Sequence, residues 1–320
     1  MLKKNQLLKK IAVLFSFAVL TQSCNKFKDY FPHGGGTEKL TIAVIVAQTP
    51  DYSLLKTALQ KTGLTQALNQ PGTFTVFAPD NKAFAAAGLS NAEAIDKLPV
   101  DVLKNILLYH VLGSKITAAQ VPSAENTPVN TLAGKEVFVT KKDGKVFVNG
   151  ARVVKADVMA SNGVIHAIDK VLMPPTGNIV ALAAANPDFT YLVAAVLRAS
   201  EGSTDVAALL SGAGPLTVFA PTNKAFIQAG FATIESIKKA KPDDLTPILA
   251  YHVVSGRVFS SALVNNAMVP TLNGEKVTIK LSTNKAKVKG NGNTTASNIV
   301  TTDLVADNGV VHVIDQVLLP

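Results

Sequence analysis

A single cysteine, Cys24, among 320 residues excludes intrachain disulfides, thiolate zinc sites and iron–sulfur clusters. Long apolar runs are missing as well: none reaches the roughly 18–20 residues needed to span a bilayer as a helix. Charged residues are only 17% of the chain against 48% hydrophobic ones, a globular composition and not that of a disordered polyelectrolyte. The net charge of +9 is spread unevenly: +4 in residues 1–23, +1 in 24–39, +3 in 40–174 and +1 in 175–320. The part able to fold is therefore only mildly basic, and no nucleic-acid partner is expected. There is no G-x-S-x-G, no P-loop and no dinucleotide fingerprint, so no cofactor is expected either. The length suits two domains.

The first 24 residues read as an address. Lys3, Lys4, Lys9 and Lys10 form a positive n-region, and residues 11–20 form a ten-residue apolar h-region, the pattern of a secretory signal peptide over residues 1–23. The stretch Leu20-Thr21-Gln22-Ser23-Cys24 resembles a bacterial lipobox, with Thr21 where the usual leucine stands. That resemblance implies an exported protein anchored in the cell envelope, at the outer membrane and facing the periplasm or the cell surface, through lipid on Cys24. Each buried methylene contributes about 0.8 kcal/mol, and stable anchoring needs at least two chains. Residues 24–39 follow as the lipidated N-terminus and a tether, in which Gly34-Gly35-Gly36 breaks any regular period.

The rest of the chain is one unit written twice. Thr75-Val76-Phe77-Ala78-Pro79 recurs as Thr217-Val218-Phe219-Ala220-Pro221, and Asn81-Lys82-Ala83-Phe84 as Asn223-Lys224-Ala225-Phe226. Tyr109-His110-Val111 recurs as Tyr251-His252-Val253 at the same offset of 142. Thr131-Leu132 and Gly134 return as Thr271-Leu272 and Gly274. Residues 163–172, GVIHAIDKVL, return as GVVHVIDQVL at 309–318. Such a period is far too long for a solenoid, so the chain is a tandem domain duplication over 40–174 and 175–320. The second copy carries six extra residues within about 290–298.

Each copy reads as helices first and meandering strands after. In the first, apolar spacing predicts helices over 43–48, 53–67 and 98–112, and a helix following Pro79 up to Gly88. Strands are predicted over 73–77, 136–140, 145–148 and 164–168, the last apolar on both faces and therefore central. This order predicts an α+β fold with helices packed on a β-sandwich or wedge. With these motifs in this order twice over, the chain resembles the fasciclin domain, the adhesion module of insect fasciclin I, periostin and many bacterial envelope proteins. The resemblance implies adhesion by binding a cell-surface or matrix protein or a glycan, and no enzyme activity.

Chemistry-bearing residues are few. Apart from His33 in the tether, the histidines form two duplicated pairs, His110 with His252 and His166 with His312. Metal binding would need a third ligand that the spacing does not supply, and a buried histidine bonded to a backbone carbonyl is the simpler expectation. His166 and Asp169 point to opposite strand faces and form no dyad. Asp243-Asp244 suits the first turn of a helix. Lys285, Lys287 and Lys289 share one strand face, either a solvated edge or a polyanion site for an acidic polysaccharide. An esterase-like enzyme is the remaining alternative. Asp157-Val158-Met159 and Asp303-Leu304-Val305 match the Asp-Ile motif that vertebrate fasciclin-domain proteins present to integrins. Tyr109, His110, Tyr251 and His252 match a second motif of that kind, so the resemblance marks all these positions as candidates for partner binding. Because Asn162-Gly163 and Asn308-Gly309 open the strand that follows each tripeptide, both aspartates are expected near a domain surface.

Overall fold

Thr41 accepts the Val44 amide on its side chain, which caps helix α1 (Ile42–Gln48). The computed structural model describes residues 39–283 and 285–320. The signal peptide, Cys24 and the tether as far as residue 38 lie outside the described residues.

In the first copy, α1 is followed by α2 (Ser53–Lys61) and α3 (Leu64–Ala67). The continuous helix expected over 53–67 is split because Gly63, at φ 71°, adopts the left-handed conformation that ends a helix. Strand β1 (Phe74–Pro79) is buried almost throughout. Asp80 then caps α4 (Asn81–Ala86) by accepting the Ala83 amide at 2.7 Å, and α5 (Ala92–Asp96) and α6 (Val100–Tyr109) complete the helical layer. The helix expected to reach Leu112 stops at His110, and Val111–Leu112 become a short strand, β2, paired with β1. Apolar content alone cannot separate those two outcomes. The His110 carbonyl decides it by accepting the Phe77 amide of the sheet at 2.9 Å.

The chain then runs through β3 (Thr127–Asn130), β4 (Glu136–Lys142), β5 (Lys145–Val148), β6 (Ala151–Ala160) and β7 (Gly163–Ile168). The strand order is β2-β1-β7-β6-β5-β4-β3, antiparallel except for the β1–β7 pair. The second copy repeats it. Helices α7 (Ile179–Ala185), α8 (Thr190–Ala199) and α9 (Val206–Ser211) precede β8 (Leu216–Pro221). Helices α10 (Asn223–Gln228), α11 (Ile234–Lys239) and α12 (Pro242–Tyr251) follow, then β9 (Val253–Ser255) and β10 (Met268–Pro270). The meander β11 (Lys276–Ser282), β12 (Lys285–Lys289), β13 (Ser297–Ala306) and β14 (Gly309–Ile314) ends the copy. The six inserted residues turn the tight β5–β6 connection into the longer loop between β12 and β13.

Each copy has two cores, one on each side of its central strands. In the first, α1, α2, α4 and α6 pack Ile42, Leu55, Phe84 and Leu103 on Val76 and Ile165. On the other side the sheet curls over itself around Phe77, Tyr109, Val137, Val148 and Ile168. The halves of the expected wedge are thus parts of one barrel-like sheet, and the α+β class holds. As expected, β7 is central and buried at every position. The Asn-Gly pair before it ties the two layers together. Buried Asn162 accepts the Ile42 amide at 2.9 Å and donates to the Leu68 and Gln70 carbonyls, both at 2.8 Å. Gly163 follows because a Cβ there would stand 2.1 Å from the Phe74 carbonyl oxygen.

Candidate functional site

Asp157 and Asp303, expected near a domain surface just before a strand, both lie inside a long strand, at its bulge. The β6–β7 register shifts between Val153 and Val158, and the β13–β14 register between Ile299 and Leu304. Asp157 has φ 58° and Asp303 φ 64°, the left-handed region that aspartate tolerates better than most residues. The histidine of the neighbouring central strand holds each bulge. The Asp157 amide donates to His166 Nδ1 at 3.2 Å, and His166 Nε2–H donates to the Ile116 carbonyl at 2.9 Å. In the second copy Asp303 N, His312 and the Val258 carbonyl repeat this at 3.3 and 2.9 Å.

The other histidine pair has the opposite tautomer. His110 Nδ1–H donates to the Ile106 carbonyl at 2.8 Å, and its Nε2 accepts the Leu172 amide at 2.9 Å. His252 does the same with Ile248 and Leu318. The direction of each bond is set by the amide N–H, which can only donate. All eight ring nitrogens of these four histidines are therefore engaged with backbone.

Burial corrects part of the expected partner-binding set. Tyr109, His110, Tyr251 and His252 are at most 2% exposed and lie in the cores, so a partner of the folded protein touches none of them. The Tyr109 hydroxyl donates to the Glu136 carbonyl at 2.8 Å and the Tyr251 hydroxyl to that of Lys276 at 2.7 Å, which pins helix to sheet. Of the tripeptides, Asp157 and Met159 are exposed and Val158 is half-buried. Asp303, in contrast, has a side chain only 4% exposed, Leu304 is half-buried and Val305 is buried. The surface position expected for Asp303 is thus overturned, and the reason is the first copy.

Lys170, just past β7, donates to Asp303 Oδ2 at 2.8 Å and to Thr302 Oγ1 at 3.2 Å. The Ser260 amide donates to Asp303 Oδ1 at 2.6 Å, and the Ser260 hydroxyl donates to Oδ2. Burial pushes the Asp303 carboxyl up, but Lys170 and then His312, with the hydrogen bonds from Lys170 and Ser260, outweigh it and hold the pKa below the usual value. Beside this contact Phe138 of the first copy packs against Phe259, Val305 and Val310 of the second. The Arg257 guanidinium lies 4.0 Å from the centre of the Phe138 ring and also donates to the Gly309 carbonyl at 2.6 Å. Asn126 donates to the Arg257 carbonyl at 2.6 Å, and Lys135 pairs with Asp307 at 2.8 Å.

The equivalent surface of the first copy is open. Asp157 Oδ1 accepts the Ala118 amide at 2.9 Å, the counterpart of the Ser260 bond. Lys115 and Thr117 stand where the second copy has Arg257 and Phe259.

The remaining candidates fall as follows. Lys285 is exposed and Lys287 and Lys289 are half-buried, while Val288 between them enters the core. Strand β12 pairs with both β11 and β13, so it is not the sheet edge expected. Lys280 stands opposite Lys287 across the ladder. Asp243, in the first turn of α12, accepts from the amide and hydroxyl of Ser203 at 3.2 and 3.0 Å, which ties down a loop. Asp169 accepts the Arg152 amide at 2.8 Å, turned away from His166.

The fasciclin domain model matches residues 50–174 and 187–320. The chain belongs to the fasciclin-domain family. It is 49% identical over 138 residues to protein sll1483 of Synechocystis, covering 42% of this chain and 74% of that protein. It is 32% identical over 260 residues to the transforming growth factor-beta-induced protein ig-h3 of Sus scrofa, and 28% identical over 260 residues to human periostin. Those two matches take in 80% of this chain but only 36% and 29% of the relatives, so the chain spans about a third of their length. Among solved structures, the FAS1 domain pair from the insect cell adhesion molecule fasciclin I matches at 19% identity with a TM-score of 0.40, covering 83% of this chain and 96% of that one.

Proposed function

We propose that this fasciclin-family chain is an exported envelope protein that acts by adhesion. In this reading residues 1–23 are a signal peptide, Cys24 carries the lipid anchor, and 24–39 form the tether. Two fasciclin-type domains, 40–174 and 175–320, bind a cell-surface or matrix protein or a glycan. Membership in a family known for cell adhesion and matrix interactions supports the class. The engaged ring nitrogens favour binding over catalysis. The observation that carries the reading is the asymmetry of the tripeptides: Asp157 and Met159 stand on an exposed bulge, an acid beside an apolar anchor, while Asp303 is taken up inside the chain.

Asp157→Asn tests it. Asparagine keeps the left-handed backbone and an acceptor for the Ala118 amide, so stability should change by no more than about 0.5 kcal/mol. Attachment of beads carrying the protein at equal density should fall several-fold on native envelope or matrix. Unchanged attachment at an unchanged melting midpoint would move the contact elsewhere. The second reading, an accessory protein for acidic polysaccharide, rests on the cluster of Lys280, Lys285, Lys287 and Lys289. It predicts glycan binding that weakens steeply with salt and is lost when Lys285 and Lys287 become Gln.

A further inference from the structure

The first copy holds a partly open apolar cavity of about 200 Å³ between the curled sheet and the segment that covers it. Phe77, Leu112, Val129, Val139, Val146 and Val153 line it from the sheet side. Ile116, Ala118, Val121 and Pro122 close it from the connection between β2 and β3, with exposed Gln120 and Pro122 at the rim. For scale, a dry cavity of about 150 Å³ lined by Leu, Ile and Phe admits benzene.

Of the polar side chains that line this space, half-buried Thr127 and exposed Gln120 stand at its margin, while the two buried ones, Thr75 and His166, are both committed. Thr75 Oγ1 donates to the Ser114 carbonyl at 2.6 Å and accepts the Ile116 amide at 2.8 Å. His166 uses both ring nitrogens on the Asp157 amide and the Ile116 carbonyl. A buried water needs two to four polar partners, and away from Thr127 and Gln120 at its margin the apolar interior offers none. A polar guest would bury its own groups unpaired, at a cost of kilocalories. Size and lining together select a hydrocarbon guest.

We propose that this cavity is a binding site for a small hydrocarbon moiety, a single aromatic ring or a short alkyl chain, with any polar end directed to the rim at Gln120. Beyond Ile116, which Thr75 and His166 already hold, the covering segment has two further ties. Asp157 accepts the Ala118 amide, and Lys141 Nζ donates to the carbonyls of Ala118 and Val121 at 2.9 and 3.3 Å.

The test is a titration of the purified protein with benzene and, separately, n-hexane, followed by methyl NMR and by thermal melting. Saturable shifts are expected for the methyls of Ile116, Val121, Val139 and Val146, with a melting midpoint that rises with guest concentration. A smaller apolar space of about 100 Å³, lined by Val46, Leu55 and Val76 among others, provides the internal comparison, and its methyls should stay still. Val146→Phe, or Val121→Phe from the covering segment if the first does not fold, should weaken binding at least tenfold by occupying the space. Absence of saturable shifts at guest saturation, or equal shifts in the Val46 and Val76 methyls, overturns the proposal. So does undiminished binding by the folded phenylalanine variant.

Discussion

Asp303→Ala is expected to destabilise the protein by roughly 3 kcal/mol and to split its thermal unfolding into two transitions, one for each copy. The carboxylate accepts three hydrogen bonds, from the Ser260 amide, the Ser260 hydroxyl and Lys170, and is 4% exposed. Charge-assisted bonds of this kind contribute about 1.5–3 kcal/mol each, and removing the carboxylate also relieves the cost of burying its charge, which offsets part of their sum. Lys170 is 41% exposed and regains water when its partner goes, so its share is discounted for solvent screening. Alanine at φ 64° adds about 1 kcal/mol of backbone cost. The corresponding change in the first copy, Asp157→Ala, removes one bond and the same backbone preference, for a loss of about 1–2 kcal/mol with no effect on coupling. Gly150→Ala gives an independent probe: its Cβ would fall 2.5 Å from Asp303 Oδ2, so it should wedge the copies apart while both partners of the ion pair remain. Calorimetry separates the cases. A single transition at the wild-type midpoint for Asp303→Ala would show that this contact does not hold the copies together.

That contrast between two aspartates of one motif marks where sequence stops being informative. Duplicated residues imply duplicated local structure, and the bulge, its left-handed aspartate and its supporting histidine do occur twice. What differs is the neighbour. Lys170 aligns with Gln316, Phe138 with Thr278 and Lys135 with Glu275, so the second copy lacks the groups with which the first reaches across. The signal was available in the aligned repeats, as charge and aromatic differences at otherwise matched positions. Without a structure nothing says that those positions meet Asp303, Arg257 and Asp307.

Element type was legible wherever periodicity was strong and local. The buried runs of β1 and β7 and the capped start of α4 follow from residue chemistry within a few positions. The helix expected over 98–112 overran because Val111 and Leu112 are as apolar as the turn before them. Backbone pairing with β1, to which the Phe77–His110 bond across more than 30 residues belongs, makes them a strand. The polar, valine-interrupted stretch of β6 escaped notice because its bulges break the two-residue alternation. Asn162 and Asn308 read as turn residues, yet each is buried with three bonds that join the helical layer to the sheet. A turn-forming asparagine and an interior clamp have the same letter, and long-range contacts alone tell them apart.

Acid should weaken the fold well before its carboxylates protonate. Burial pushes His110 and His252 down from the ordinary 6.5 to about 4, against a smaller upward pull from the carbonyls of Ile106 and Ile248. The geometry gives the reason: a proton on Nε2 would face the amide N–H of Leu172 or Leu318, donor against donor. Above pH 6.5 both states hold these rings neutral, and the native advantage is complete. As pH falls from 6.5 towards 4, the unfolded chain takes up protons that the native state refuses. Stability is then lost at about 1.4 kcal/mol per pH unit for each histidine. At pH 5 this amounts to about 2 kcal/mol per ring and about 4 kcal/mol for the pair. His312, also held down by burial against the pull of Asp303, acts in the same direction. Asp303, whose own pKa is lowered from 3.8, contributes its loss only below this window. Urea unfolding at pH 7.5, 6 and 5 measures the slope directly. His252→Gln should be less stable at pH 7.5 yet lose between a third and a half of the pH dependence, because one of the three proton-refusing sites is gone. Stability that stays flat between pH 6.5 and 5, or a slope untouched by the substitution, would mean that these rings are protonated as readily in the fold as outside it.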